Sequence, residues 1–394
     1  MTTRVVNRVS NRTRPTRAMK ERQRVIVVGG GVLGTMHAYI ARRLGHRVLH
    51  LEREPAPRGA SVRNFGLVWV SGRADGDELA IAIRARKWWE QIGAEVPGVG
   101  FRARPSITIA RTDAELAICS EMATADAGAR RGFTFLNAQG VRRANPAIRG
   151  DILGGLMSSH DASVEPGQVL TAIRDYLAGE EGYTYLPGRT AVDLDSAAVR
   201  DHLGEWHRGD VVILATGATL TGIAGTHLSA APIRRCRLQM MQTAPLGEEL
   251  TTSIADGDSF RYYPAYRNAD LASLGAQADV AATHRMQLLM VQRAHGGLTI
   301  GDTHAYDEPF DFAVEEEPYD HLREVAEDIL GRSLPPVVRR WSGIYCETTD
   351  GSIYHRGEVA PGVIAVTAPG GRGMTCSPAI AEDTFVSTSV GVPA

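Results

Sequence analysis

Cysteine is scarce in this 394-residue chain, and its four copies, Cys119, Cys236, Cys346 and Cys376, form no CxxC or Cys/His spacing. That excludes a disulfide framework or a zinc module, leaves no metal set to expect, and suits a reducing cytoplasm. No stretch approaches the roughly twenty apolar residues that a spanning helix needs. Charge of either sign is not in excess. A formal net of −2 argues against a nucleic-acid footprint or a general attraction to membranes. Residues 1–20, MTTRVVNRVSNRTRPTRAMK, lack both acids and an apolar core, so they are no secretory signal. Residues 1–23 are expected to be a disordered extension, with Met19 a natural alternative start. With 43% hydrophobic and 22% charged residues, the remainder has the composition of an ordinary globular protein and the length for two domains.

What is present begins between Arg24 and Glu52, RVIVVGGGVLGTMHAYIARRLGHRVLHLE. The segment reads as an apolar strand, a glycine turn, a helix and a second strand ending in an acid. Gly29 permits the tight turn, Gly31 lets the backbone approach a pyrophosphate, and Gly34 lets the helix pack on the sheet. The helix N-terminus favours anionic oxygen. Glu52, eighteen residues beyond Gly34, is placed to accept hydrogen bonds from an adenosine ribose and to repel the 2′-phosphate of NADP.

Other pieces of a nucleotide-binding half are scattered. Pro166 opens an amphipathic helix carrying Val169, Leu170, Ile173 and Leu177, and Val211 to Ala215 reads as a buried strand running into Thr216-Gly217-Ala218. Val363 to Val366 is a further strand, followed by a glycine-rich loop and a helix with Ser377 as N-cap and Pro378 at its first position. The helix 78–92 and the strands Ser106 to Ala110 and Leu298 to Gly301 suggest a second domain with a mixed or antiparallel sheet. The expected division is 24–75, 151–224 and 341–394 for a discontinuous Rossmann-like α/β domain, and 76–150 with 225–340 for an interleaved α+β substrate domain.

The loop Gly370 to Thr375 brings three glycines to the start of a helix, which suits the negative end of a reduced flavin. Ser61, Arg63 and Asn64 follow Glu52 closely and offer hydroxyl, guanidinium and amide groups to phosphate or ring. His304 has a bland alternative as a partner of Asp302, and Tyr262, Tyr263 and Tyr266 one as core aromatics. His160-Asp161 is no dyad, because adjacent residues rarely face each other.

The fingerprint at 24–52, the ATGA turn at 215–218 and the GRGMT loop at 371–375 together resemble the D-amino-acid oxidase, glycine oxidase and sarcosine oxidase group of FAD enzymes. The resemblance implies FAD as cofactor and oxidation of a carbon–nitrogen bond. It places Gly29, Gly31, Gly34, Glu52, Ser61, Asn64, Val192, Thr216, Gly217, Gly371, Arg372, Gly373, Met374 and Thr375 on the cofactor. ASVRNFG at 60–66, IGDTHAYD at 300–307 and RWSGIY at 340–345 are similar to FAD-dependent oxidoreductases encoded beside phosphonate-degradation genes. The implied substrate is 2-aminoethylphosphonate or its N-methyl derivative, with oxygen as the electron acceptor. Glycine-oxidase relatives carry a carboxylate-clamping Arg where this chain has Tyr345, which cannot form that pair. Arg63, Arg261 and His304 are the candidates for gripping an anion, with Tyr262 and Tyr266 as hydroxyl donors. Sarcosine oxidases carry an oxygen-promoting Lys where Thr299 stands, and a flavin-tethering Cys one position before Cys346. The alternatives are a glycine, sarcosine or D-amino-acid oxidase, an NAD-dependent dehydrogenase, and a dinucleotide-binding scaffold without turnover.

Overall fold

In a computed structural model the described residues are 22–387. The expected extension therefore lies almost wholly outside them. The apolar run becomes β1 (Arg24–Val28), in the interior of a six-stranded sheet with Val25, Ile26 and Val27 fully buried. A strand covered on both faces has no use for alternation, which is why it reads as continuous valine and isoleucine. Helix α1 (Val32–Arg43) returns the chain to β2 (Arg47–Glu52), parallel to β1.

The strand Val211–Leu214 pairs in parallel on the other side of β1, followed by Val363–Thr367 and then the antiparallel edge strand His355–Ala360; Tyr183–Pro187 closes the far edge beside β2. The registers Val28↔Leu214 and Val28↔Leu51 bring the carboxyl ends of three strands level. Order reverses at β1, and the crevice at such a switch point is where open α/β sheets bind ligands.

The second sheet has eight strands in the order 337–348, 233–245, 297–301, 289–292, 253–255, 106–110, 154–158 and 133–137. All its pairs are antiparallel except 253–255 with 106–110. The fold is thus α/β with one largely parallel and one mixed sheet.

Three expectations need correction. Strand Gly154–Ser158 and most of Val337–Thr348 pair in the second sheet, although the expected division puts 151–224 and 341–394 with the first. Helix α2 (Asp77–Glu95), expected in the substrate domain, packs Leu79, Ala82, Ala85, Trp89 and Ile92 into the same core as β1 and α1. The Pro166 turn precedes its helix, which runs Val169–Ala178.

The last helix also starts early. It spans Gly373–Ser387 with Pro378 inside. A proline there has no N–H for the carbonyl four residues back, Met374 O. The buried Trp89 indole supplies the missing donor, its Nε1 giving a hydrogen bond to Met374 O at 2.9 Å. Trp89→Phe is expected to leave that carbonyl unpaired and to cost about 1–3 kcal/mol of stability, read as a lower urea midpoint at unchanged slope.

Candidate active site

Two glycines carry the steric argument at the nucleotide end. A Cβ on Gly34 would overlap the Gly29 carbonyl oxygen, and one on Gly29, whose φ is +111°, would overlap Ala215 O. Gly31 caps α1, and Ser61 Oγ accepts from Val32 N–H at 2.9 Å beside it. The Glu52 carboxylate accepts from the backbone N–H of Gly30 and of Glu54. Gly31, Val32 and Leu33 face a cavity of about 340 Å³, and the first turn of α1 holds no acid. A helix N-terminus with no acid in its first turn and a carboxylate at the end of the next strand fits the pyrophosphate and ribose of FAD.

The same cavity runs to the C-terminal loop. Thr367 to Thr375 line it, and Ala368 and Gly370 adopt positive φ to turn the backbone toward it. Thr375 Oγ1 accepts from Trp69 N–H at 2.9 Å, tying this loop to the one after Arg63. Arg372 is held by Glu78 at 3.0 Å. Asn64 shapes its own loop, donating to Ala60 O and accepting from Gly66 N–H. Trp69 lies in the wall, and its buried Nε1 has no partner among the described residues. A glycine-lined floor, a helix N-terminus and a spare donor fit a flat, electron-accepting ring.

The opposite wall belongs to the mixed sheet and its loops. Tyr345 lies in it, and its hydroxyl has no oxygen or nitrogen partner, only the Cys236 thiol. Arg63 lies in it with Nη1 on Ser342 O at 2.9 Å and no carboxylate partner among the described residues. Cys346 is in the wall too, and burial pushes its thiol up to about 12, so it is no ready nucleophile toward flavin.

His304 is in the wall but is not a cation. Its Nδ1 faces Arg285 O at 2.9 Å and must carry the proton, while Nε2 accepts from the Tyr262 hydroxyl at 2.7 Å. Burial lowers its pKa to about 4, leaving a neutral ring. Tyr262 therefore donates to His304 rather than to a substrate.

Arg261 and Tyr266 are outside the wall. Arg261 sits in the short helix Ser259–Tyr262, where neighbours diverge by about 100°. With Tyr262 turned inward, Arg261 turns away to Asp258 and Gly275 O. Tyr266 is buried between Phe260 and Phe133. On the cofactor side, Gly217 and Ala218 line the cavity, whereas Thr216 turns its hydroxyl to Thr219 O. Val192 also lies outside the wall, 47% exposed in a three-stranded meander.

Sequence reasoning missed Asp302 and Gln287, both in the wall. Asp302 was visible only as a neighbour of His304, and the two are 3.8 Å apart without a hydrogen bond. His160 bonds Arg130 O and Asp161 bonds Ser106 and two backbone N–H groups, so they form no dyad. Among the described residues one group has metal-ligand spacing, Asp201, Glu205 and His207, but Arg189 and His207 already occupy its buried carboxylate.

A glycine turn at a parallel-sheet switch point, a terminal acid and a second glycine loop define a dinucleotide-binding oxidoreductase. Residues 24–385 match the family model described as "DAO: FAD dependent oxidoreductase", and the chain belongs to that family. FAD is its cofactor, which sets aside the NAD-dependent reading. The chain is similar to D-amino acid dehydrogenase of Helicobacter pylori (strain ATCC 700392 / 26695), with 23% identity over 260 residues, 52% of this chain and 62% of the relative. It thus spans about three fifths of the length of that relative. A component of the opine oxidase of Rhizobium meliloti is 24% identical over 381 residues, 90% of this chain and 92% of the relative. Glycine oxidase from Bacillus cereus ATCC 14579 shares the fold, with a TM-score of 0.76 at 17% identity over 94% of this chain and 96% of that one.

Gly34→Ala is expected to cost about 3 kcal/mol or more and to abolish FAD retention. Gly59→Ala, where a Cβ meets open space, should stay within about 0.5 kcal/mol of the parent with full flavin content. The ratio of flavin to protein absorbance and a urea titration check both.

Proposed function

We propose that the protein oxidises the carbon–nitrogen bond of a small amine bearing an anionic group, 2-aminoethylphosphonate or its N-methyl derivative. The products are phosphonoacetaldehyde and ammonia or methylamine, and oxygen is the electron acceptor. The observation that carries this reading is the wall facing the glycine loop. It offers Arg63, a guanidinium without a carboxylate partner among the described residues, in the same wall as Tyr345, which the sequence resemblance sets where glycine-oxidase relatives carry a clamping arginine.

FAD, when bound, supplies the acceptor for two electrons. The chain's own residues position and desolvate. Arg63 holds the anion, and Leu238, Met240 and Leu289 exclude water from the reacting carbon. The amine must be neutral, because an ammonium has no lone pair to assist cleavage of the adjacent C–H bond. Water then converts the imine to the aldehyde and free amine. Thr299 is buried in its strand and outside the cavity wall, so Arg63 is the cation left to favour reaction with oxygen. The soluble, cytoplasmic setting inferred from the sequence fits this chemistry, and no helix among the described residues is long and apolar enough to cross a membrane.

A second reading, oxidation of an ordinary amino acid, is favoured by the names of the relatives and by the ease with which a guanidinium pairs with a carboxylate. Anaerobic mixing with 2-aminoethylphosphonate, its N-methyl derivative, glycine, sarcosine and D-alanine separates the two. Bleaching of the flavin by the phosphonates alone is expected, with recovery of colour on admitting air. Bleaching by glycine, sarcosine or D-alanine instead overturns the phosphonate assignment. Arg63→Ala should raise KM for the anionic substrate about tenfold or more at unchanged flavin content.

A further inference from the structure

Among the described residues three acids line the cavity, and two are spoken for. Glu78 sits between Arg372 and Arg73, and Glu347 is paired with Arg234. The third, Asp302, is 6% exposed and has no cationic partner. Gln287 Nε2 donates to its Oδ1 at 2.7 Å and so fixes the carboxyl's orientation. Its Oδ2 has no hydrogen bond from another residue. The groups around it are neutral hydrogen-bonding side chains: His304, Tyr262, Tyr263, Tyr345 and Cys236. A buried carboxyl without a cation rests as the neutral acid and is poised to ionise when a cation arrives.

We propose that Asp302 recognises the substrate's ammonium group and takes its proton, so that the amine is neutral when its carbon is oxidised. This rests on the amine reading above. In the step, one N–H bond of the ammonium breaks and an O–H bond forms at Oδ2; the nitrogen keeps the electron pair. Burial holds the carboxyl up to about 8, which gives it the proton affinity that an ordinary carboxylate lacks for this task. A hydroxyl in place of the amine carries no charge to satisfy Oδ2, so Asp302 also selects amines over alcohols.

The test uses the FAD-loaded protein and an amine with no hydrogen on the carbon bearing nitrogen, (2-amino-2-methylpropyl)phosphonate, against its hydroxyl isostere. Binding is read from perturbation of the flavin spectrum. The parent is expected to prefer the amine by about tenfold or more, the size of one charge-assisted hydrogen bond. The preference should grow as pH rises through about 8 and vanish at pH 6, where the carboxyl is protonated and the amine still charged. Asp302→Asn should retain flavin, lose the preference at every pH, and lower kcat/KM for the oxidised amine about a hundredfold. A variant that keeps the preference and turns over within about threefold of the parent overturns the proposal while leaving the amine reading intact. Should Asp302→Asn fail to retain flavin, a pH-independent preference in the parent overturns it alone. A parent enzyme that oxidises alcohols and no amine overturns the reading and the proposal together.

Discussion

The site depends on how closely α1 approaches the end of β1. The carbonyl of Gly29 sits where a Cβ of residue 34 would be, so the helix meets the strand at a distance that only glycine allows. That contact directs the positive end of α1 at the cavity and leaves its first turn free of acids. The parallel registers on both sides of β1 then set Ala215 and Glu52 at the same level. Loosening the approach would move the α1 N-terminus, Glu52 and the 215–218 turn together, because they share one strand end.

The cavity is a seam between two sheets, and hydrogen bonds hold its edges. Thr375 joins the C-terminal loop to Trp69, and the Arg63 guanidinium reaches Ser342 on the longest strand pair of the mixed sheet. The partners are 306 and 279 residues apart in sequence. Closing such long loops costs little more entropy than closing short ones, since the cost grows only with the logarithm of loop length. A discontinuous cofactor domain is therefore thermodynamically accessible, provided that each return is anchored by burial as Thr375 and Trp69 are.

The parts legible in the sequence are those determined locally. Val25 to Val28, the glycine turn and Glu52 announce a nucleotide site because strand, turn and helix are written within thirty residues. The 371–375 loop is legible for the same reason. What escaped reading depends on distant partners or on the phase of a very short helix. Pro378 looks like a helix start until a tryptophan 285 residues before Met374 satisfies the Met374 carbonyl that the proline leaves bare. Arg261 and Tyr262 are equal candidates in sequence, and a four-residue helix gives no periodicity from which to tell which of them faces inward. His304 looks like a cation until burial and its two hydrogen bonds make it neutral. Asp302 is hidden for the opposite reason: a single acid in a polar run carries no local mark of the uncharged wall around it.

The charge balance of the cavity narrows what can occupy it. Arg73 and Arg372 converge on Glu78, Arg234 neutralises Glu347, and His304 is uncharged. One guanidinium, Arg63, and one carboxyl, Asp302, are left without partners of opposite charge, and both border the same cavity. A guanidinium and a carboxyl that gives up its proton when a cation arrives, both facing a cavity rather than each other, complement a zwitterion, the charge state of an amino acid or aminophosphonate near neutral pH. An amine without an anionic group would leave the Arg63 guanidinium unmatched. A ligand that meets both groups at once must span the gap between them, so on the proposed reading the separation of anion and nitrogen bears on the fit as directly as the identity of the anion does.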